Sequence, residues 1–226
     1  MSPLVIAHRG DPLAHRENTL EAFGAAVEAG ADMIELDVRR SADGRAVVVH
    51  DATLDRVWGV PRRVAEVTRD HVLSLGIPDL AQALDAIPPH VQVMIDYEEE
   101  DVAELAVADV LAAGALDRAL FSGGCFRGHR RIRELAPGAR IAATWDVEER
   151  MPDALLDELG AEFYNPSGNV LGRDPGAVER MHARGVQVSV WTIDERADME
   201  LFVALGVDGI VTNRPATLVG LLGAPC

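Results

Sequence analysis

Apolar residues fall in short runs separated by longer stretches of helical spacing. Leu4 to Ala7 is the first run, and it ends on His8-Arg9-Gly10. A helix opening at the Asn18-Thr19 cap carries Leu20, Phe23, Ala26 and Val27 on one face and closes at Gly30. Met33 to Val38 is the second run. Asp43-Gly44 then predicts a two-residue hairpin that returns through Ala46 to Val49. Residues 51–78, with Gly59, Pro61 and Pro78, read as an irregular connection. Beyond it the pattern predicts helices near 80–86, 101–113, 126–135, 152–159, 175–184 and 196–205. They alternate with strands near 91–97, 119–122, 140–145, 162–164, 187–192 and 209–212.

With the hairpin return set aside, eight apolar strands alternate with helices, a pattern that predicts parallel pairing through right-handed crossovers. The fold class expected is α/β, a single (β/α)₈ TIM barrel with a short hairpin extension after strand two, forming one domain over residues 1–226. No Gly-rich phosphate loop follows the first strand, which weighs against a dinucleotide-binding sheet. In such barrels the C-terminal strand ends form the active face. There the sequence gathers His8, Glu35, Asp37, Asp96, Trp191-Thr192 and Thr212-Asn213-Arg214.

Composition narrows the partners. The net charge of −16 opposes binding to nucleic acid or an anionic membrane. All 21 basic residues are arginine. Cys125 and Cys226 lack metal-ligand spacing and read as thiols without function. The first apolar run is too short for a signal peptide or a membrane span, so a soluble cytoplasmic protein is expected. Oligomeric state is left open.

Glu35 and Asp37 share one face of a strand, about 7 Å apart. A two-residue loop at Asp43-Gly44 pairs Ala42 with Arg45 and sets His50 across from Asp37, with Cβ atoms roughly 5 Å apart. Glu35, Asp37 and Asp96 are hard oxygen donors facing one mouth, and like charges so packed call for Mg²⁺ or Ca²⁺ among them. Zinc would draw the histidines in as ligands. His8 and His50 at the same rim, with ordinary pKa values near 6.5, suit acid–base proton transfer around a phosphate. Arg9 and the cation would neutralise its non-bridging oxygens. His15, His71, His90, His129 and His182 read as structural or surface residues.

Taken together, HRG at 8–10, ENT at 17–19, ELD at 35–37, DG at 43–44, HD at 50–51, the WT of strand seven and the TNRP closing strand eight resemble the glycerophosphodiester phosphodiesterase family over nearly the whole chain. The resemblance implies a metal-dependent hydrolase that converts a small glycerophosphodiester to glycerol 3-phosphate and an alcohol. It implies His8 and His50 as catalytic residues, Arg9 as the phosphate ligand, and Glu35, Asp37 and Asp96 as metal ligands. Glu17, Glu98 and Trp191 are expected to line the site. In that family the substrate's neighbouring glycerol hydroxyl attacks phosphorus.

Several departures stand out. Arg16 precedes ENT where proline is usual, and Asp96 replaces a glutamate. Asp96-Tyr97-Glu98 replaces glutamate-x-lysine, and the segment after HD is short. Glu98 is expected to join the metal shell or to pair with an arginine such as Arg127 or Arg214. Competing readings are a phospholipase D-like or lysophospholipase D-like enzyme, and a catalytically weak barrel that binds a phosphodiester.

Overall fold

The computed structural model describes residues 2–223; Cys226 lies outside them. The strands are β1 (Leu4–His8), β2 (Met33–Arg40), β3 (Ala46–Val48), β4 (Gln92–Asp96), β5 (Ala119–Gly123), β6 (Arg140–Trp145), β7 (Phe163–Pro166), β8 (Gln187–Val190) and β9 (Gly209–Thr212). All but β3 pair in parallel, and β1 bonds both β9 and β2, so the sheet closes into an eight-stranded barrel. Helices fill the crossovers, which makes this the (β/α)₈ barrel that the apolar runs imply. β3 lies outside, antiparallel to β2. No described helix is long and apolar enough to cross a membrane.

Side-chain alternation explains how this barrel acquires a polar mouth. Ile6, Met33, Met94, Leu120, Ala142 and Phe163 point inward and close the interior with apolar packing. Two residues further along each strand, the same face carries His8, Glu35, Asp96, Ser122, Thr144 and Asn165, all lining one cavity. Strand residues of opposite parity, such as Val5, Ala7, Ile34 and Leu36, pack outward among the surrounding helices.

Two expectations are corrected. At the hairpin, Val38, Arg39 and Arg40 pair with Val48, Val47 and Ala46. The Ser41 amide donates to the Arg45 carbonyl at 3.0 Å. The loop is therefore Ala42-Asp43-Gly44, a three-residue turn closed by Gly44 at φ +72°. This register is one residue away from the expected one, so His50 does not stand directly opposite Asp37.

The segment 51–78 is not irregular: it holds helices Asp55–Trp58 and Arg69–Ser74 and the 3₁₀ turn Val64–Glu66. Each is too short for periodicity to reveal. They bury a separate apolar cluster of Val47, Val49, Leu54, Val64, Val67, Val72 and Ile77. The helix expected near 175–184 is Ala177–His182, and an additional helix, Gly168–Arg173, precedes it and stops short of Pro175, which cannot continue its ladder. A further helix, Pro215–Gly223, follows β9 and adds Leu218 to the outer core.

Gly10 joins strand to site. Its φ is +82°, and a Cβ there would come within 2.6 Å of the Ala22 backbone. Gly10→Ala is expected to cost at least about 2 kcal/mol of unfolding free energy, through both left-handed strain and overlap. Urea unfolding at constant m-value tests this.

Candidate active site

Parallel pairing sets the acidic groups side by side. His8 pairs in register with Glu35, and Asp37 with Asp96. Arg9, in the left-handed region at φ +60°, turns the chain so that its amide faces β2. That amide donates to Glu35 Oε2 at 2.9 Å. Its Nη1 donates to Glu17 Oε1 at 2.9 Å, while Nε lies 3.2 Å from Asp37 Oδ2, misaligned for a hydrogen bond and with no other partner. Asn18, also left-handed at φ +59°, clamps Asp37 through Nδ2 to Oδ2 at 2.8 Å and receives its amide at 3.3 Å. Two strained residues thus converge on one carboxylate pair, as is common at functional sites.

Hydrogen bonding settles the tautomer of His8. Asp194 can only accept: it takes Asn213 Nδ2 at 2.7 Å, the Asn213 amide at 2.8 Å and Thr212 Oγ1 at 3.1 Å. Asn213 must therefore turn Oδ1 toward His8, 2.8 Å from Nδ1, so His8 carries its proton on Nδ1 and leaves Nε2 free to accept. Burial and the Arg9 charge lower the His8 pKa. His50 follows the same plan, its Nδ1 standing 2.7 Å from Asp51 Oδ1. Arg39 Nε holds the His50 carbonyl. His50 reaches the cavity despite the shifted register, since it lies beyond the end of β3.

Electrostatics mark the carboxylates. Burial, then repulsion from Asp37 and Asp96, pushes Glu35 well up. Asp96 rises to about 7 through burial and the charges of Asp37 and Glu98, against a hydrogen bond from Ser122. Glu17, by contrast, is lowered: burial opposes its charge, but hydrogen bonds and charge from Arg56 and Arg9 outweigh it. The far wall is neutral, with Thr144 Oγ1 meeting Ser122 Oγ at 3.0 Å and Asn165 Nδ2 at 3.1 Å.

His8, Arg9, Glu35, Asp37, His50, Asp96, Glu98 and Trp191 all line this cavity. Glu17 stands behind Arg9 and is not part of the lining. Glu98 pairs with an arginine, but neither of those anticipated: Arg39 Nη2 reaches it at 2.7 Å. Extending the Asp37–Asp96 pairing by two residues puts Arg39 opposite Glu98, which explains the choice. Asp194 and Arg56 give no sequence signal, being charged residues among many. Asn18, Asp51 and Asn213 sit inside the ENT, HD and TNRP runs, but their contacts with Asp37, His50 and His8 form only in the folded chain. Buried His129 is structural, bonded to Tyr97 Oη and, 3.0 Å away, to the Gly123 carbonyl.

A sequence profile of the Glycerophosphoryl diester phosphodiesterase family matches residues 8–217. A glycerophosphodiester phosphodiesterase of Caldanaerobacter subterraneus subsp. tengcongensis is 30% identical over 98% of each chain. A probable glycerophosphodiester phosphodiesterase 2 of Mycobacterium tuberculosis is also 30% identical, over 97% of this chain and 90% of its own. Among solved structures, an Oleispira antarctica phosphodiesterase in complex with the product sn-glycerol-3-phosphate has the same fold at TM-score 0.90. It is 20% identical and covers 99% of this chain and 98% of its own. With the profile spanning the barrel from His8 to beyond β9, the chain belongs to the glycerophosphoryl diester phosphodiesterase family and is a phosphoric diester hydrolase.

Proposed function

We propose that the chain hydrolyses glycerophosphodiesters to glycerol 3-phosphate and an alcohol, with His8 and His50 moving the protons and a divalent cation bound at Glu35, Asp37 and Asp96. The observation that carries this reading is the pair of histidines on one cavity, each with Nδ1 held by an oxygen partner and Nε2 left for chemistry. His8, lowered in pKa, takes the proton of the glycerol hydroxyl beside the phosphate as its oxygen attacks phosphorus. His50 gives a proton to the departing alcohol oxygen. Water then opens the cyclic ester with the two roles reversed. Arg9 neutralises a non-bridging phosphate oxygen.

The donor set fits a hard cation. All three would-be ligands are carboxylates, and burial, then the charge of Asp37, pushes Glu35 and Asp96 up, which a positive ion would relieve. Among the described residues no three His, Cys, Asp or Glu side chains form a closed cage. Asn18 and the Arg9 amide hold Asp37 and Glu35 instead, and these are the contacts a cation competes with. Bound there, Mg²⁺ or Ca²⁺ supplies charge to the phosphate oxygens. The Arg39 pairing weighs against the weak-binder reading, because Glu98 is not an unpaired charge facing substrate.

Release of glycerol 3-phosphate from soluble glycerophosphodiesters should disappear with chelator and return with Mg²⁺ or Ca²⁺. His8→Ala and His50→Ala should each lower kcat by about 10²–10⁴-fold. Cleavage of lysolipids alone would shift the reading to a lysophospholipase D, and binding without turnover would overturn it.

Stability follows from Asp96. Its folded pKa of about 7 lies above the ordinary carboxyl value, so the folded state holds the proton more tightly. In chelator, stability should fall as pH rises from about 4 to about 7 and level off above. Asp96→Asn should flatten that slope in thermal melts, and a slope of the opposite sign would refute the assignment.

Glu98→Lys restores the family's usual residue type but sets an ammonium against Arg39, releasing the guanidinium that holds the His50 carbonyl. Turnover should drop. A clear gain would mean that Glu98 is only a lesion.

A further inference from the structure

A chain of ion pairs joins the two halves of the site. Arg56, on the short helix Asp55–Trp58, forks onto two carboxylates at once. Its Nε meets Asp51 Oδ2 at 2.6 Å and its Nη2 meets Asp51 Oδ1 at 3.0 Å. Towards Glu17, Nη1 meets Oε2 at 3.0 Å and Nη2 meets Oε1 at 2.7 Å. Each carboxylate has a second client in the cavity. Asp51 Oδ1 also meets His50 Nδ1 at 2.7 Å, and Glu17 Oε1 also takes Arg9 Nη1 at 2.9 Å. Beside this path, the Arg16 guanidinium lies 4.5 Å from the Trp58 ring centre and ties the same two loops together.

We propose that Arg56 is a positioning residue that couples His50 to Arg9 through Asp51 and Glu17, fixing the proton donor relative to the phosphate-binding arginine. The inference rests on the function proposed above. The bland alternative is a surface ion pair. Arg56 is 52% exposed, and exposed pairs contribute little to folding. That makes the two accounts separable: a surface pair predicts small effects on everything, whereas a coupler predicts a large kinetic effect with a small thermal one. Only arginine has the planar fork that grips two carboxylates in this way; lysine offers a point charge. The coupling also explains why Glu17, which does not line the cavity, lies on the same network as residues that do.

The test is Arg56→Ala, with Asp51→Asn and Glu17→Gln, assayed on a soluble glycerophosphodiester. Arg56→Ala should lower kcat by about 10–100-fold and also raise KM, while the melting temperature moves by less than about 4 °C. Asp51→Asn should reproduce the loss in kcat and Glu17→Gln the rise in KM. Arg56→Ala with Asp51→Asn should lower kcat no further than Asp51→Asn alone. If Arg56→Ala does not fold, Arg56→Lys should show the same split at smaller size. An active parent with kcat and KM unchanged in Arg56→Ala, or in Arg56→Lys where only that variant folds, would overturn the coupling. An inactive parent would instead refute the proposed function. The coupling would then be read from the His50 imidazole NMR signals, which should move in Arg56→Ala while those of His182 stay. Unmoved His50 signals would overturn it.

Discussion

Repulsion between carboxylates in a poorly solvated mouth is the constraint around which this site is built. Parallel register sets Asp37 beside Asp96, and alternation puts Glu35 on the same face. Water is too scarce there to screen them, so their charge has to be met from elsewhere. The chain meets it locally with a left-handed Arg9, whose amide serves Glu35, and a left-handed Asn18, which grips Asp37 from both ends. The strain of HRG and ENT is the geometric cost of answering that repulsion from two adjoining loops.

Arginine alone carries the positive charge in this chain, and its geometry is used throughout. Arg133 spans four carbonyls, those of Pro137, Ala139, Leu159 and Gly160, at 2.7–3.1 Å. Arg140 forks onto both oxygens of Glu162 at 2.9 and 2.7 Å. Arg39 reaches Glu98 and a backbone carbonyl together. Each arrangement needs several N–H groups in one plane, which an ammonium cannot supply. A glutamate at position 98 is therefore accommodated by a neighbouring strand rather than by a substitute lysine.

The fold was legible because hydrophobic period changes cleanly between strand and helix, and because polar residues recur at the strand ends. His8, Arg9, Glu35, Asp37 and Asp96 follow from that pattern. His50 was reached through a hairpin register one residue out, yet it lines the same cavity, since the chain leaves β3 before reaching it. The partner of Glu98 was missed because it depends on pairing between strands far apart in sequence. Asp194 and Arg56 were missed for a related reason. A carboxylate that orients an amide, or a guanidinium that bridges two loops, has no spacing rule of its own, and its meaning appears only when residues 19 or 39 positions away come within hydrogen-bond reach.

The two histidines belong to different packing units. His8 ends a central barrel strand, whereas His50 hangs from the segment whose apolar cluster, from Val47 to Ile77, is separate from the barrel's own. Such units open by sub-global fluctuation at lower free energy than the whole molecule. Under the proposed roles of the two histidines, the fraction of molecules competent for catalysis is set by how firmly that segment is seated, not by the melting of the barrel. Heat or denaturant should therefore silence the enzyme while its secondary structure is still intact.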